Sequence, residues 1–285
     1  MITIVSKENN EVSIGDNGPT VLIGERINPS GKKKLAESLK AGDLSVVQEE
    51  AVSQVEAGAD ILDINVVTPG VNEVAMLPKA LEAVMEAVDV PLCIDVNNPE
   101  ALKGALEVYR GKPIVNSVTG DEKSLNEILP LVKEYGAAVI GLTIDEQGIP
   151  KDPERRVSIA RKIVERAHAF GIPAEDVIID CLSLTVGADS QAGQATLQTI
   201  REVREELDLN QTLGASNISF GLPNRVLINQ VFLSMAIQAG ITCPTVNPAK
   251  VCSMVLAADM VLGRDQYAMR YIKDYQKNNL LQSNP

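Results

Sequence analysis

From residue 20 onward, short runs rich in Val, Ile and Leu alternate with longer amphipathic runs, the pattern of a chain that lays down strands and helices in turn. The strand candidates are TVLIGERIN (20–28), ADILDINVV (59–67), PLCIDV (91–96), PIVNSVTG (113–120), AAVIGLTID (137–145), DVIIDCLSL (176–184), TLGASNISFG (212–221) and GITCPTVN (240–247), eight in all. The helical runs between them carry start and stop signals. DLSVVQEEAVSQVEAGA opens on Asp43 as an N-cap and stops at Gly58; NPEALKGALEVYRG opens on Asn98-Pro99 and stops at Gly111; DPERRVSIARKIVERAHAFG stops at Gly171. Ile228, Val231, Phe232, Met235 and Ala239 recur at the spacing of one buried helix face. Ahead of all this, ITIVS and EVSIG flank KENN and read as a hairpin.

Eight β-then-α units joined by right-handed crossovers can close into a (β/α)8 barrel or lie open as a doubly wound sheet. An open nucleotide-binding sheet normally has a glycine-rich first turn. Here that turn reads GERINPSGKKK, with neither GxGxxG nor GxxxxGK[ST], and the barrel is the better reading. No linker or composition shift divides the chain, so the expectation is an α/β fold. It is a single (β/α)8 TIM barrel over residues 1–285, with residues 1–19 as an N-terminal β-hairpin extension closing the bottom. A composition of 45% apolar but only 3% aromatic residues, without Trp, suits buried parallel strands covered by helices.

Charge and residue types narrow the chemistry. A formal net charge of −12 argues against a non-specific nucleic-acid surface, and GKKKLAESLK (31–40) is the one dense basic cluster. Lys32, Lys33 and Lys34 fit a solvated helix face or a seat for the anionic tail of a ligand, and the sequence does not decide between them. With no signal-peptide core and no apolar run long enough for a membrane span, a cytoplasmic location is expected. Cys93, Cys181, Cys243 and Cys252 lack CxxC spacing and read as reduced thiols. His168, the only histidine, sits at a helix end. A zinc centre and a Ser-His-Asp or Cys-His hydrolase therefore fall away, and no metal is expected.

What remains lies at the strand ends, where barrel enzymes place their catalytic groups. In order the strands carry Glu25 and Asn28; Asp63 and Asn65; Asp95 and Asn97; Asn116 and Ser117; Thr143 and Asp145; Asp180; Ser216, Asn217 and Ser219; Thr245 and Asn247. Capping and turn chemistry accounts for Asn97, Asn98, Asp145 and Asn247. It does not account for Asp63, Asp95 and Asp180, which are embedded in apolar β-branched sequence and need donors to offset desolvation. Such carboxylates could hold Mg²⁺. The equal supply of amides points instead to a neutral heterocycle rich in N–H donors and acceptors, such as the 2-amino-4-oxo-pyrimidine edge of a pterin or of guanine.

The motifs GERIN (24–28), LDINV (62–66), CIDV (93–96), VNSVTG (115–120), IGLTIDEQGIPKD (140–152), IIDCL (178–182) and SNISFGLPNR (216–225) resemble, in order and spacing, those of the pterin-binding methyltransferase family. That family contains the methyltetrahydrofolate:corrinoid protein methyltransferases and the folate domain of cobalamin-dependent methionine synthase. The resemblance runs from Val21 to about Tyr275. It implies a homodimeric TIM barrel that exchanges a methyl group between N5 of tetrahydrofolate (5-methyltetrahydrofolate when methylated) and the cobalt of a corrinoid, a cobalamin, supplied by a partner corrinoid protein. The expected step is methylcorrinoid to tetrahydrofolate in a demethylation or one-carbon pathway, with no nucleic acid or membrane involved. By the same resemblance Asp95, Asn116 and Asp180 bind the pterin, Asn217 approaches N5, and Asn217 and Asp95 carry the catalysis. Glu25, Asn28, Asp63, Asn65, Ser216 and Arg225 match the surrounding polar shell, although Arg225 also fits a helix start. Dihydropteroate synthase shares the barrel and pterin pocket and is one alternative; GITCPTVNP lacks the Ser-x-Arg ending that enzyme would show at the eighth strand. A non-catalytic folate-binding module is the other.

Overall fold

The computed structural model of the chain describes residues 1–15 and 18–283, with side chains as far as residue 277; Asp16 and Asn17 of the expected hairpin extension lie outside the described residues. The chain opens with β1 (Ile2–Lys7) and β2 (Asn10–Gly15), then runs β3 (Ile23–Ile27), α1 (Lys33–Ala41), α2 (Ser45–Glu56), β4 (Ile61–Ile64), α3 (Glu73–Ala87), β5 (Leu92–Asp95) and α4 (Pro99–Val108). It continues with β6 (Gly111–Lys112), β7 (Ile114–Thr119), α5 (Glu122–Tyr135), β8 (Ala138–Leu142), α6 (Pro153–Ala169), β9 (Val177–Asp180), α7 (Ala192–Leu207) and β10 (Gln211–Thr212). Last come α8 (Arg225–Ala239), β11 (Thr245–Val246), α9 (Pro248–Val261) and α10 (Met269–Ser283).

Eight of these strands form one parallel sheet in the order β10-β9-β8-β7-β5-β4-β3-β11. A parallel bridge between Gly214 and Thr245, with the Thr245 amide donating to the Leu213 carbonyl at 3.0 Å, brings its two ends together. The expected (β/α)8 barrel is the fold observed. β1 and β2 pair as an antiparallel hairpin with β6 as a third strand, and Val5 and Ile14 from the hairpin reach into the barrel to pack with Ile23, Ile61, Cys93, Ile114 and Ile178. The hairpin thus fills the bottom mouth. A larger apolar cluster lies between the barrel's outer face and the helices. No described helix is long and apolar enough to cross a membrane.

Several local expectations need correction. The run 212–221 is not a strand beyond Thr212; Ala215–Ser219 coils into a 3₁₀ helix. Its small residues and amides satisfy the backbone locally, the Asn217 amide donating to the Gly214 carbonyl at 3.2 Å, instead of in a ladder. Asp43 stands one residue before the Leu44 N-cap of α2 but still accepts from the Ser45 amide at 2.9 Å. On α8 the buried residues are Phe232, Leu233, Ala236, Ile237 and Ala239, whereas Val231 and Met235 are about half exposed. Apolar residues surround that helix, so its spacing fits more than one face and does not select the one the barrel covers.

Candidate functional site

Side chains of a strand alternate between two sides, so a residue two positions beyond a barrel-filling one also points inward. Ile23, Ile61, Cys93, Ile114, Ile178 and Cys243 belong to the apolar cluster inside the barrel. Two positions further along the same runs stand Glu25, Asp63, Asp95, Asn116, Asp180 and Thr245, and all six line one cavity of about 510 Å³ at the strands' C-terminal ends. The strand pattern therefore builds an apolar floor with a polar layer set on it. Of the residues singled out from sequence, Glu25, Asn28, Asp63, Asp95, Asn116, Asp180, Ser216, Asn217 and Arg225 all line this cavity. Asn65 does not line it; it acts on the site through Asp95.

Two irregularities shape the rim. β3 shifts register against β4 between Gly24 and Ile27, and this bulge lets the successive residues Glu25 and Arg26 both line the cavity. The Arg26 amide donates to Gln54 Oε1 at 2.8 Å. Gly24 makes room for that contact, because a Cβ on it would stand 2.6 Å from the same oxygen. After β9, Leu182 adopts a left-handed backbone (φ 52°), a conformation that costs a residue with a Cβ about 1 kcal/mol or more. Its amide donates to Asp180 Oδ1 at 2.7 Å, and the guanidinium of Arg156 donates to the carbonyls of Pro150 (2.7 Å), Cys181 (3.0 Å) and Leu182 (2.9 Å). Arg156 is 1% exposed and fixes the Asp180 loop from behind. Sequence reasoning missed it, although its place on the buried stripe of α6 with Ala160, Ile163 and Ala167 was a usable signal.

Within the polar layer, Asn116 Nδ2 donates to Asp63 Oδ1 at 3.1 Å. Asn65 Nδ2 donates to Asp95 Oδ2 at 3.0 Å, while its own Oδ1 accepts from the Val67 amide at 2.8 Å, which fixes the orientation of the Asn65 amide. Burial raises the Asp63 carboxyl, and the neighbouring Asp95 raises it further. Burial also raises Asp95, against the opposing hydrogen bond from Asn65. Asp180 is pushed up to about 7 by burial, with the Leu182 amide and the Arg156 charge opposing. Glu25 rises for the same reason, opposed by Lys32, Arg26 and Arg225 and by a hydrogen bond with Ser216. Protein donors thus leave these carboxylates incompletely satisfied, and a ligand edge rich in N–H groups would complete them.

The opposite wall comes from the 3₁₀ helix. Arg225 donates to the Ser216 carbonyl at 2.8 Å and to Ser219 Oγ at 3.1 Å, with its guanidinium 5.9 Å from the centre of the Phe220 ring. Ser219 Oγ donates to Asn229 Oδ1 at 2.6 Å, tying the turn to α8. Asn217 is exposed at the mouth, and its Nδ2 lies where a Cβ on Gly214 would come within 3.1 Å. Asn28 Oδ1 accepts from the Ser30 amide at 3.0 Å, a local turn at the cavity's edge. Among the described residues no three His, Cys, Asp or Glu side chains gather in a way that could hold a metal ion.

The sequence matches a family model described as pterin binding enzyme over residues 24–247. It is 30% identical over 270 residues to a methylcorrinoid:tetrahydrofolate methyltransferase of Eubacterium limosum, an alignment covering 91% of this chain and 97% of that protein. It is 36% identical over 248 residues to a methionine synthase of Mycobacterium leprae (strain TN), covering 82% of this chain but only 20% of that protein. The fold resembles dihydropteroate synthase from Yersinia pestis (TM-score 0.71, 15% identity, 92% of this chain and 99% of that one). It also resembles 7,8-dihydropteroate synthase from Vibrio fischeri ES114 (TM-score 0.70, 14% identity, the same shares). At those identities the likeness concerns the fold alone.

Proposed function

The chain belongs to the pterin-binding enzyme family, and from that premise we propose that it exchanges a methyl group between N5 of tetrahydrofolate and the cobalt of a corrinoid carried on a separate protein. The observation that carries the proposal is the pairing of Asp95, Asn116 and Asp180 in the polar layer with Asn217 exposed on the turn above it. The near end-to-end match with a methylcorrinoid:tetrahydrofolate methyltransferase favours methyl transfer over dihydropteroate synthesis, for which the structural likeness offers only 14–19% identity.

In this reading Asp95 and Asp180 accept from the N–H groups of the pterin's 2-amino-4-oxo edge and Asn116 supplies the complementary amide, so the ring lies on the polar layer with N5 toward Asn217. When the methyl group moves to the folate, the cobalt–carbon bond breaks, its electron pair stays on cobalt, and the N5 lone pair forms the new bond. N5 is then cationic until its proton leaves. In the reverse direction N5 must be protonated before the methyl can depart to Co(I), because an amine leaves well and an amide anion does not. An amide does not titrate near neutral pH, so Asn217 acts by turning: it accepts from N5–H through Oδ1 or donates to the lone pair through Nδ2. The proton itself is exchanged with solvent, directly or through water reaching Asp95.

Asn217 and Phe220 stand exposed at the mouth, where a corrinoid on a partner protein must approach. The proposal includes a homodimer, supported by the exposed stripe Leu227, Val231 and Met235 on α8, a helix with no charged residue after Arg225. The deciding experiment incubates the pure protein with 5-methyltetrahydrofolate and reduced corrinoid, free and protein-bound, and follows the cobalt spectrum. Conversion of Co(I) to methyl-Co(III) is expected. Tight folate binding without any spectral change would mean that the chain is a folate-binding module.

A further inference from the structure

Tetrahydrofolate ends, beyond its pterin and aminobenzoyl ring, in one glutamate or a chain of γ-linked glutamates, so its far end is anionic while its head seeks carboxylates. The cavity is polarised in the matching sense. Glu25, Asp63, Asp95 and Asp180 lie in the polar layer, and the cations that line the cavity are Arg26 and Lys32 on the β3–α1 side, beside Glu25, and Arg225 on the α8 side. Arg225 is engaged by the Ser216 carbonyl and Ser219, at 2.8 and 3.1 Å. Arg26 and Lys32, by contrast, also line an adjoining groove of about 380 Å³ that contains Lys33 and Lys34. Cavity and groove therefore share two basic residues, and the groove is a basic trough beside the cavity.

That groove holds four cations against the carboxylates of Glu49 and Glu50, a local positive excess on a chain of net charge −12. Its existing ion pairs are loose or solvent-facing: Arg26 with Glu50 at 3.5 Å, Lys34 with Glu49 at 3.2 Å, and Lys33 with Glu37 at 3.8 Å. Pairs of this kind contribute little and exchange readily for an incoming anion. Lys32 donates to the Arg26 carbonyl, which holds its half-buried ammonium at the junction of cavity and groove. Burial and the adjacent Arg26 lower its pKa, so a carboxylate there would favour the charged form. A second cavity adjoins the site, walled by Val226, Leu233, Val246 and Val251; its cations Arg225 and Lys250 stand against Glu25, a smaller positive excess than the groove holds.

We propose that the trough of Arg26, Lys32, Lys33 and Lys34 seats the γ-glutamyl carboxylates of a polyglutamylated folate. The inference rests on the folate reading above. The experiment compares equilibrium binding of 5-methyltetrahydrofolate as monoglutamate and as triglutamate to the full chain at low and high salt. The triglutamate is expected to bind about tenfold more tightly at low salt, with the advantage shrinking as salt is added. The Lys33→Ala/Lys34→Ala double variant should lose most of that advantage, and Glu49→Gln, which releases Lys34, should widen it. Equal binding of the two forms, or an advantage that survives salt and the double lysine variant, overturns the trough and leaves methyl transfer standing. Failure of both forms to bind overturns the folate reading and the trough together.

Discussion

Asn217 and Asp180 illustrate two ways in which a single side chain sets the behaviour of this site. Asn217 is exposed, and in the proposed mechanism its amide acts only while the nitrogen beneath it changes charge. One hydrogen bond strengthened in a transition state is worth about 3 kcal/mol. Asn217→Ala is therefore expected to lower single-turnover methyl transfer about a hundredfold, with a smaller loss in folate affinity by titration; an unchanged rate would remove Asn217 from the mechanism. Asp180 is half-buried at the edge of the cavity, and its effect shows without any ligand. Its carboxyl titrates near 7 in the fold against 3.8 unperturbed, so its stabilising contribution is complete below about pH 3.8 and is lost as pH rises through 7. Asn at this position cannot ionise and keeps an oxygen for the Leu182 amide. The stability gain of Asp180→Asn over the unaltered chain should accordingly grow by on the order of 2 kcal/mol from pH 5 to pH 8, read as a widening difference in melting temperature. A gain that is flat with pH would mean the carboxyl is not desolvated as described.

At the scale of elements, legibility followed how many constraints each run carried. β4, β5, β7 and β9 were readable because each places an apolar side chain inward and then a carboxylate or amide two residues later, so β-branched composition and alternation agree. β10 was not, because Gly214, Ala215, Ser216 and Asn217 satisfy a tight turn as readily as a strand, and only closure of the barrel decides between them. Arg156 escaped notice because its partners are backbone carbonyls, which carry no side-chain signature, and two of them, Cys181 and Leu182, lie beyond the next strand. α8 was misread because its apolar surface exceeds what the barrel covers. The surplus has a measurable meaning: Val231→Glu with Met235→Lys should give a monomer in analytical ultracentrifugation while far-ultraviolet circular dichroism stays unchanged. A dimer that persists would place the interface elsewhere.

For the whole molecule, the barrel separates stability from chemistry along its axis. The hairpin and the inward apolar residues close the lower end, and the polar layer opens at the upper one. Ile14→Ala, a truncation in the lower plug at a fully buried position, should cost about 2–4 kcal/mol in urea unfolding and leave methyl transfer nearly unaltered below the transition. A large loss of activity in the folded variant would show that the two ends are mechanically coupled. The raised carboxyls of the upper end have a thermodynamic consequence of their own. If the head of a folate is held by Asp180 as an anion, then binding at pH 6 must expel protons that the empty protein carries there. Calorimetric heats of binding measured in phosphate and in Tris will then differ by the difference between the two buffers' ionisation heats multiplied by the protons released. On the proposed reading, recognition amounts to an exchange of the ligand's N–H groups for acid protons of the protein.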